Sequence, residues 1–131
     1  METMSSALKS LRALSDPTRL RMVALLEREE LSVNELQEVT RLGQSRISTH
    51  LGLLQDAGLL QSRREGKRTF YRSNPAADSA ARELIQLAIR GAKELPEYVG
   101  DQINLKMKGK QKIKDEGGKC SLELELSWVT P

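Results

Sequence analysis

Gln44-Ser45-Arg46-Ile47-Ser48-Thr49-His50-Leu51-Gly52-Leu53-Leu54-Gln55-Asp56-Ala57-Gly58 carries two messages at once. Ile47, Leu51 and Leu54 recur at steps of four and three, the spacing of one buried stripe on an α-helix, and Gly58 suits a left-handed stop after Ala57. With those three side chains inward, Gln44, Ser45, Arg46, Ser48 and Thr49, with Gly52 beside them, fall on or next to the outward face. Immediately upstream, Ser32 and Glu35 form a Ser-x-x-Glu capping box ahead of Val33, Leu36 and Val39, which predicts a short helix. Thr40-Arg41-Leu42-Gly43 breaks it. Two short helices around a tight turn result.

Downstream the period changes from helical to alternating. Leu59 to Arg64 and Lys67 to Arg72 read as two strands around Glu65-Gly66, a β-hairpin with a basic tip. Between Arg41 and Arg72 stand seven basic residues, Arg41, Arg46, Arg63, Arg64, Lys67, Arg68 and Arg72, against Asp56 and Glu65. This window has a larger positive excess than the whole chain, whose net charge is +3. Paired short helices followed by a cationic hairpin predict a winged helix-turn-helix: mainly α with a small β-hairpin wing. In such a fold the second helix can enter the major groove while the wing grips phosphate or the adjoining minor groove. Gln pairs with adenine, Arg with guanine, and Ser or Thr with base edges or phosphates. The candidate DNA-binding residues on the helix are therefore Gln44, Ser45, Arg46, Ser48 and Thr49.

Around this centre, Met4, Ala7, Leu8, Leu11 and Leu14 predict an amphipathic first helix with a narrow apolar stripe. Asp16-Pro17 predicts the start of a second, capped by Asp16, with Leu20, Val23, Ala24, Leu26 and Leu31 as its buried set. Asn74-Pro75 predicts a further helix by the same logic, whose Ala77, Ala80, Ala81, Leu84, Leu87, Ala88 and Gly91 form a stripe suited to close packing. Leu95-Pro96 ends or kinks it. We divide the chain into a winged-helix DNA-binding domain over 1–98 and a C-terminal extension over 99–131. In the extension, Leu105 to Lys114 and Leu122 to Trp128 both alternate with period two around Gly117-Gly118. Two readings stand for it: a hairpin with Lys112 opposite Glu123 and Lys110 opposite Glu125, or a solvated disordered tail.

Composition narrows the functional classes. A chain of 131 residues, 38% hydrophobic and 30% charged, fits one soluble globular domain with a short extension. No apolar run approaches a membrane span and the first residues lack the pattern of an export signal, so a cytoplasmic location is expected. One cysteine, Cys120, rules out an intramolecular disulfide, and one histidine, His50, leaves few soft metal ligands. Cys120 is an incidental thiol, an oxidant sensor or a link between two subunits. No nucleophile–base pair, phosphate loop or metalloprotease motif is present, so no enzyme, cofactor or metal is expected.

Ala13-Leu14-Ser15-Asp16-Pro17-Thr18-Arg19-Leu20-Arg21-Met22, Leu31-Ser32-Val33-Asn34-Glu35-Leu36, Gln44-Ser45-Arg46-Ile47-Ser48-Thr49-His50-Leu51, Leu54-Gln55-Asp56-Ala57-Gly58-Leu59-Leu60 and Arg64-Glu65-Gly66-Lys67-Arg68-Thr69-Phe70-Tyr71 stand in the order of a known pattern. Over about residues 7 to 95 the chain resembles the ArsR/SmtB family of bacterial winged-helix transcriptional regulators. The resemblance implies a homodimer on an inverted-repeat DNA operator, joined through the first and fifth helices, usually a repressor and released by a small-molecule effector. It also implies DNA contact by Gln44, Ser45, Ser48 and Thr49, with Arg46 between them, and by Arg64, Lys67 and Arg68 of the wing. His50 matches a frequent family residue beside the packed leucine. The family's metal-sensing Cys-x-Cys pair is missing, Ser32 and Asn34 standing in its place. Its site on the last helix keeps only Asp78 as a candidate ligand. The stretch from Arg90 to Tyr98 is similar to the junction of relatives fused to a methyltransferase. That leaves a second reading, the truncated regulatory half of such a fusion, acting as a methyl-cycle metabolite sensor or interaction module.

Overall fold

A computed structural model describes residues 5–115. Within them the elements run α1 (Ser6–Ala13), α2 (Pro17–Arg28), β1 (Leu31–Ser32), α3 (Val33–Thr40), α4 (Gln44–Asp56), β2 (Leu60–Glu65), β3 (Arg68–Ser73), α5 (Ser79–Ala92) and α6 (Tyr98–Asp115). The strands form one antiparallel sheet in the order β1-β3-β2. None of the described helices is long and apolar enough to cross a membrane.

Local chemistry starts most of these elements. The Asp16 carboxylate accepts from the Arg19 amide and Pro17 occupies the first turn of α2, where its missing N–H costs nothing. Ser32 and Glu35 make both halves of the capping box on α3. Gly58 ends α4 with φ +79° and Gly66 takes φ +62° in the hairpin loop, conformations that strain any residue with a Cβ. Arg41, at φ +65°, is the only other described residue there, and it closes α3 by donating its amide to the Gln37 carbonyl.

The core gathers around α2. Met22, Val23, Leu25 and Leu26 are buried there against Leu36 and Val39 of α3, Ile47, Leu51 and Leu54 of α4, and Ala81, Ile85 and Ala88 of α5. Each large side chain is worth roughly 2 kcal/mol of transfer free energy, so the three from α4 hold that helix by several kcal/mol. The outer face of α4 is thereby left unconstrained by folding.

Four expectations need correction. Asn74-Pro75 does not start α5. Asn74 instead donates to the Gly58 carbonyl and accepts from the Ala76 amide, and Asp78 caps the helix through the Ala81 amide. Both Asn and Asp offer a short acceptor, and only the second has a helical backbone following it. The stripe on α5 lies on Ala81, Ile85, Ala88 and Ala92, leaving Ala80 and Leu87 exposed. On α1 the leucines face out: Leu8 and Leu11 are about half exposed, at 48% and 51%, while Ser10 and Ala13 are buried. Finally, Leu105 to Lys114 is helical, within α6, and not the first arm of a hairpin. Asp101, Asn104, Leu105 and Lys108 lie at helical steps on one side, and their contacts with α2 and α3 outweigh the alternating pattern. The second arm, 122–128, and Cys120 lie outside the described residues.

Candidate nucleic-acid interface

Helix α4 exposes Gln44, Ser45, Arg46, Ser48 and Thr49 while burying Ile47, Leu51 and Leu54; Ser45 and Thr49 lie opposite the buried stripe, Arg46 and Ser48 flank it, and Gln44 is open at the first turn. Gly52 is half-buried, with open space where a Cβ would stand. The helix begins at Gly43, which has no side chain to satisfy the first amides, so no capping side chain meets the positive pole of the helix dipole at this end. Thr49 Oγ1 donates to the Ser45 carbonyl at 2.9 Å, which fixes its rotamer along the helix. The resulting face is short and polar, and it permits close approach of another backbone.

Two side chains at the edge of this face are held from behind. Arg46 Nη2 donates to Thr18 Oγ1 at 3.2 Å, using one of its five donors and leaving the guanidinium exposed. Arg19 donates through Nε to the Ala13 carbonyl at 2.5 Å and through Nη1 to His50 Nδ1 at 3.0 Å. Since a guanidinium only donates, Nδ1 is the acceptor and the neutral ring carries its proton on Nε2. Burial holds the His50 pKa below its usual value. Asp16, 3.9 Å from Nδ1, pulls it up, and Arg19 and Arg46 push it further down. His50 therefore ties α4 to the α1–α2 corner, and the geometry agrees with a packing role.

On the wing, Arg64, Lys67 and Arg68 are exposed around the Gly66 loop, and Arg64 Nε reaches the Gly66 carbonyl at 3.4 Å. Strand alternation turns Arg63 the other way. Its guanidinium makes two bonds to Glu30, at 2.6 and 3.1 Å, and one to Glu65, at 2.7 Å, and lies 4.6 Å from the Phe70 ring centre. Arg72 is spent on Gln61 through two donors. Gln55 Nε2 donates to Ser62 Oγ at 2.8 Å and pins the last turn of α4 to the wing, so helix face and basic tip keep a fixed relation. All eight residues singled out on the sequence are thus exposed on α4 and the hairpin that follows it. Sequence reading missed the support behind them, Thr18, Arg19 and Arg63, although the run Asp16-Pro17-Thr18-Arg19 was visible as a helix start.

Asp78 caps α5 and accepts from Ser6 Oγ at 2.8 Å. Among the described residues no group of three or more His, Cys, Asp or Glu side chains could hold a metal ion.

Comparison with known proteins adds independent information. Residues 16–62 match the model of the family described as bacterial regulatory protein, arsR family. The arsenic resistance transcriptional regulator ArsR1 of Pseudomonas putida is 46% identical over 65 residues, 49% of this chain and 51% of that protein. The arsenical resistance operon repressor of Escherichia coli is 42% identical over 82 residues, 62% of this chain and 70% of the repressor. Several of the matched regulators are thus spanned over only about half to three-fifths of their length. The solution structure of a homodimeric winged helix-turn-helix DNA-binding domain from Mycobacterium bovis superposes with TM-score 0.56 at 27% identity, covering 75% of this chain and 95% of that one.

Proposed function

The chain belongs to the arsR family of bacterial regulatory proteins, and from that premise we propose that it is a homodimeric, DNA-binding transcriptional repressor of the cytoplasm. Gln44, Ser45, Arg46, Ser48 and Thr49 read bases in the major groove, and Arg64, Lys67 and Arg68 hold the flanking phosphates. The operator is an inverted repeat matching the two-fold axis of the dimer, and a small-molecule effector releases it. One observation carries this reading: a helix fastened by three buried apolar side chains turns five polar or basic residues outward, beside an exposed cationic loop.

Association through α1 and α5 is supported by Leu8, Leu11 and Leu87, which are 48%, 51% and 56% exposed. Helices α1 and α5 also pack side by side and are joined by the Ser6–Asp78 bond. Apolar side chains left so open on adjacent helices fit a surface that a second copy covers. The family resemblance of these two helices points the same way.

The test is selection of duplexes from a random pool by the full chain, followed by titration of the selected and a scrambled duplex at one stated salt concentration. The expected result is an inverted repeat bound at least 1000-fold more tightly than the scrambled duplex, as on the order of 10³ or more separates specific from non-specific binding. Equal binding of both defeats the proposal.

A further inference from the structure

Helix α6 does more than cover the core, because it supplies the end of α3 with acceptors' partners that α3 lacks. The last carbonyls of a helix have no amide ahead of them, and in α3 these are the groups that lead straight into the turn before α4. Gln37 is served by the Arg41 amide. The Val39 carbonyl accepts from Asn104 Nδ2 of α6 at 2.9 Å. The Thr40 carbonyl accepts from Arg21 Nη2 of α2 at 3.2 Å.

Arg21 is in turn held by α6. Its Nε and Nη2 donate to the two oxygens of Asp101 at 2.7 and 2.8 Å, a two-point fit that fixes the plane of the guanidinium. Both side chains are nearly buried, at 10% and 6% exposure, so the pair is shielded from salt. A third tie joins Lys108 to Glu38 at 2.6 Å, and Leu105 seats the helix in the core between these contacts. Three successive residues of α3, Glu38, Val39 and Thr40, are thus gripped directly or through Arg21.

We infer that Asp101 and Asn104 are positioning residues for DNA recognition: they clamp the C-terminal end of α3 and so fix the turn over residues 40–43 that aims α4. Next to the clamp, the Leu42 amide donates to Thr40 Oγ1, Arg41 holds its left-handed backbone, and the first turn of α4 closes with the Ile47 amide on the Gly43 carbonyl. Loosening the grip frees the angle between α3 and α4 while leaving every DNA-facing side chain in place. This inference rests on the DNA-binding reading, and its test separates the two.

Asn104→Ala and Asp101→Asn are made in the full chain, with Asn104→Gln as the conservative variant. Amide hydrogen exchange at Arg41, Leu42 and Ile47 is measured against that of Val23 and Leu25 in α2. Affinity is measured for the duplex that the wild type selects and for a scrambled duplex. Exchange at the three turn amides is expected to quicken about fivefold, the loss of one hydrogen bond, with α2 unchanged. Affinity for the selected duplex falls by a similar factor, the scrambled duplex is bound as before, and Asn104→Gln restores part of both. A merely structural role slows or speeds all amides together and leaves the ratio of the two affinities alone, which overturns the inference. Unchanged exchange at the turn overturns it as well. Should Asp101→Asn not fold, Asn104→Ala and Lys108→Ala, at the half-buried edge of α6, decide the matter. If the wild type selects no duplex, the DNA-binding reading fails, and exchange alone decides whether the clamp exists.

Discussion

At the level of single residues, Gln44 and Lys67 are both exposed and polar, yet they stand in different relations to a duplex. Gln44 begins a helix whose outward face is short-chained, so its carboxamide can lie against a base edge. Lys67 sits in the two-residue loop of the wing, and the contact proposed for its flexible ammonium is with phosphate, which carries no sequence information. Gln44→Ala is expected to reduce discrimination between selected and altered duplexes by about 1–3 kcal/mol, and Lys67→Ala to weaken all duplexes alike and lower the salt slope by about one. Paired titrations over a range of salt check both, and equal losses on all duplexes for the two variants contradict the division of roles. Arg46 stands between these cases, since one of its donors is held by Thr18 while the others remain exposed.

His50 gives a second residue-level prediction. Its pKa is lowered in the folded protein, chiefly by burial, so folding favours the neutral ring. The unfolded chain therefore takes up the proton first as the pH falls. His50 leaves stability level above its unfolded pKa of about 6.5 and reduces it as the pH drops from there toward the folded value. Thermal denaturation of the wild type and His50→Gln at pH 7.5 and at about pH 5.5 should show the larger drop in the wild type. It is the chain's one histidine, so the difference isolates it. An identical drop in both proteins refutes the assignment.

Between residues and the whole stand the elements, and here the wing and α6 show what the sequence disclosed and what it hid. Helices α2, α3 and α4 were legible because cap and stripe agree: Asp16 with Pro17, Ser32 with Glu35, and Ile47 with Leu51 and Leu54. The hairpin was legible from Gly66 and its flanking alternation, although β1 was not, since two residues carry no period. In α6 the lysines occupy every second position from Lys106 to Lys114, which imitates a strand. The same stretch also places Asp101, Asn104, Leu105 and Lys108 at helical steps, and only the neighbouring α2 and α3 decide between the periods. The candidate DNA face could be listed from spacing alone, but the ties of Arg46 to Thr18 and His50 to Arg19 join residues 28 and 31 positions apart, which no local pattern reveals.

Arg63 and Arg64 are neighbours of one charge, and alternation gives them opposite tasks. Arg63 is buried against Glu30 and Phe70 and keeps the wing attached to the end of α2, while Arg64 points outward. Arg63→Met should cost about 3 kcal/mol, the low end for breaking a buried pair, because Glu30 loses its two-point partner but is 14% exposed. Adding Glu30→Leu should recover much of it. Urea denaturation of the single and double variants checks this, and a cost below roughly 1 kcal/mol, the range of exposed pairs, shows that the bridge holds nothing.

For the molecule as a whole, affinity for DNA depends on how many copies bind together. Under the proposed reading a single α4 spans one half-site, and two paired copies would present their helices about 34 Å apart, one turn of B-form DNA. The second contact then forms at the effective concentration set by the dimer, which multiplies affinity without any new contact. Leu8, Leu11 and Leu87 are the open apolar side chains on α1 and α5, and none of them belongs to the candidate DNA face. Leu87→Glu places a charge where a second copy would bury a leucine. Sedimentation should then report a monomer in place of a dimer, and affinity for an inverted repeat should fall by roughly a hundredfold, the scale of lost bivalency. The fold of the single chain should persist, because Leu87 is more than half exposed within it, and the unfolding temperature should fall only by what pairing contributed. A half-site duplex distinguishes the causes: wild type and variant should bind it equally if only the pairing is lost. A variant that remains a dimer moves the interface away from α5, and one that loses the half-site as well shows that the substitution has disturbed α4 itself.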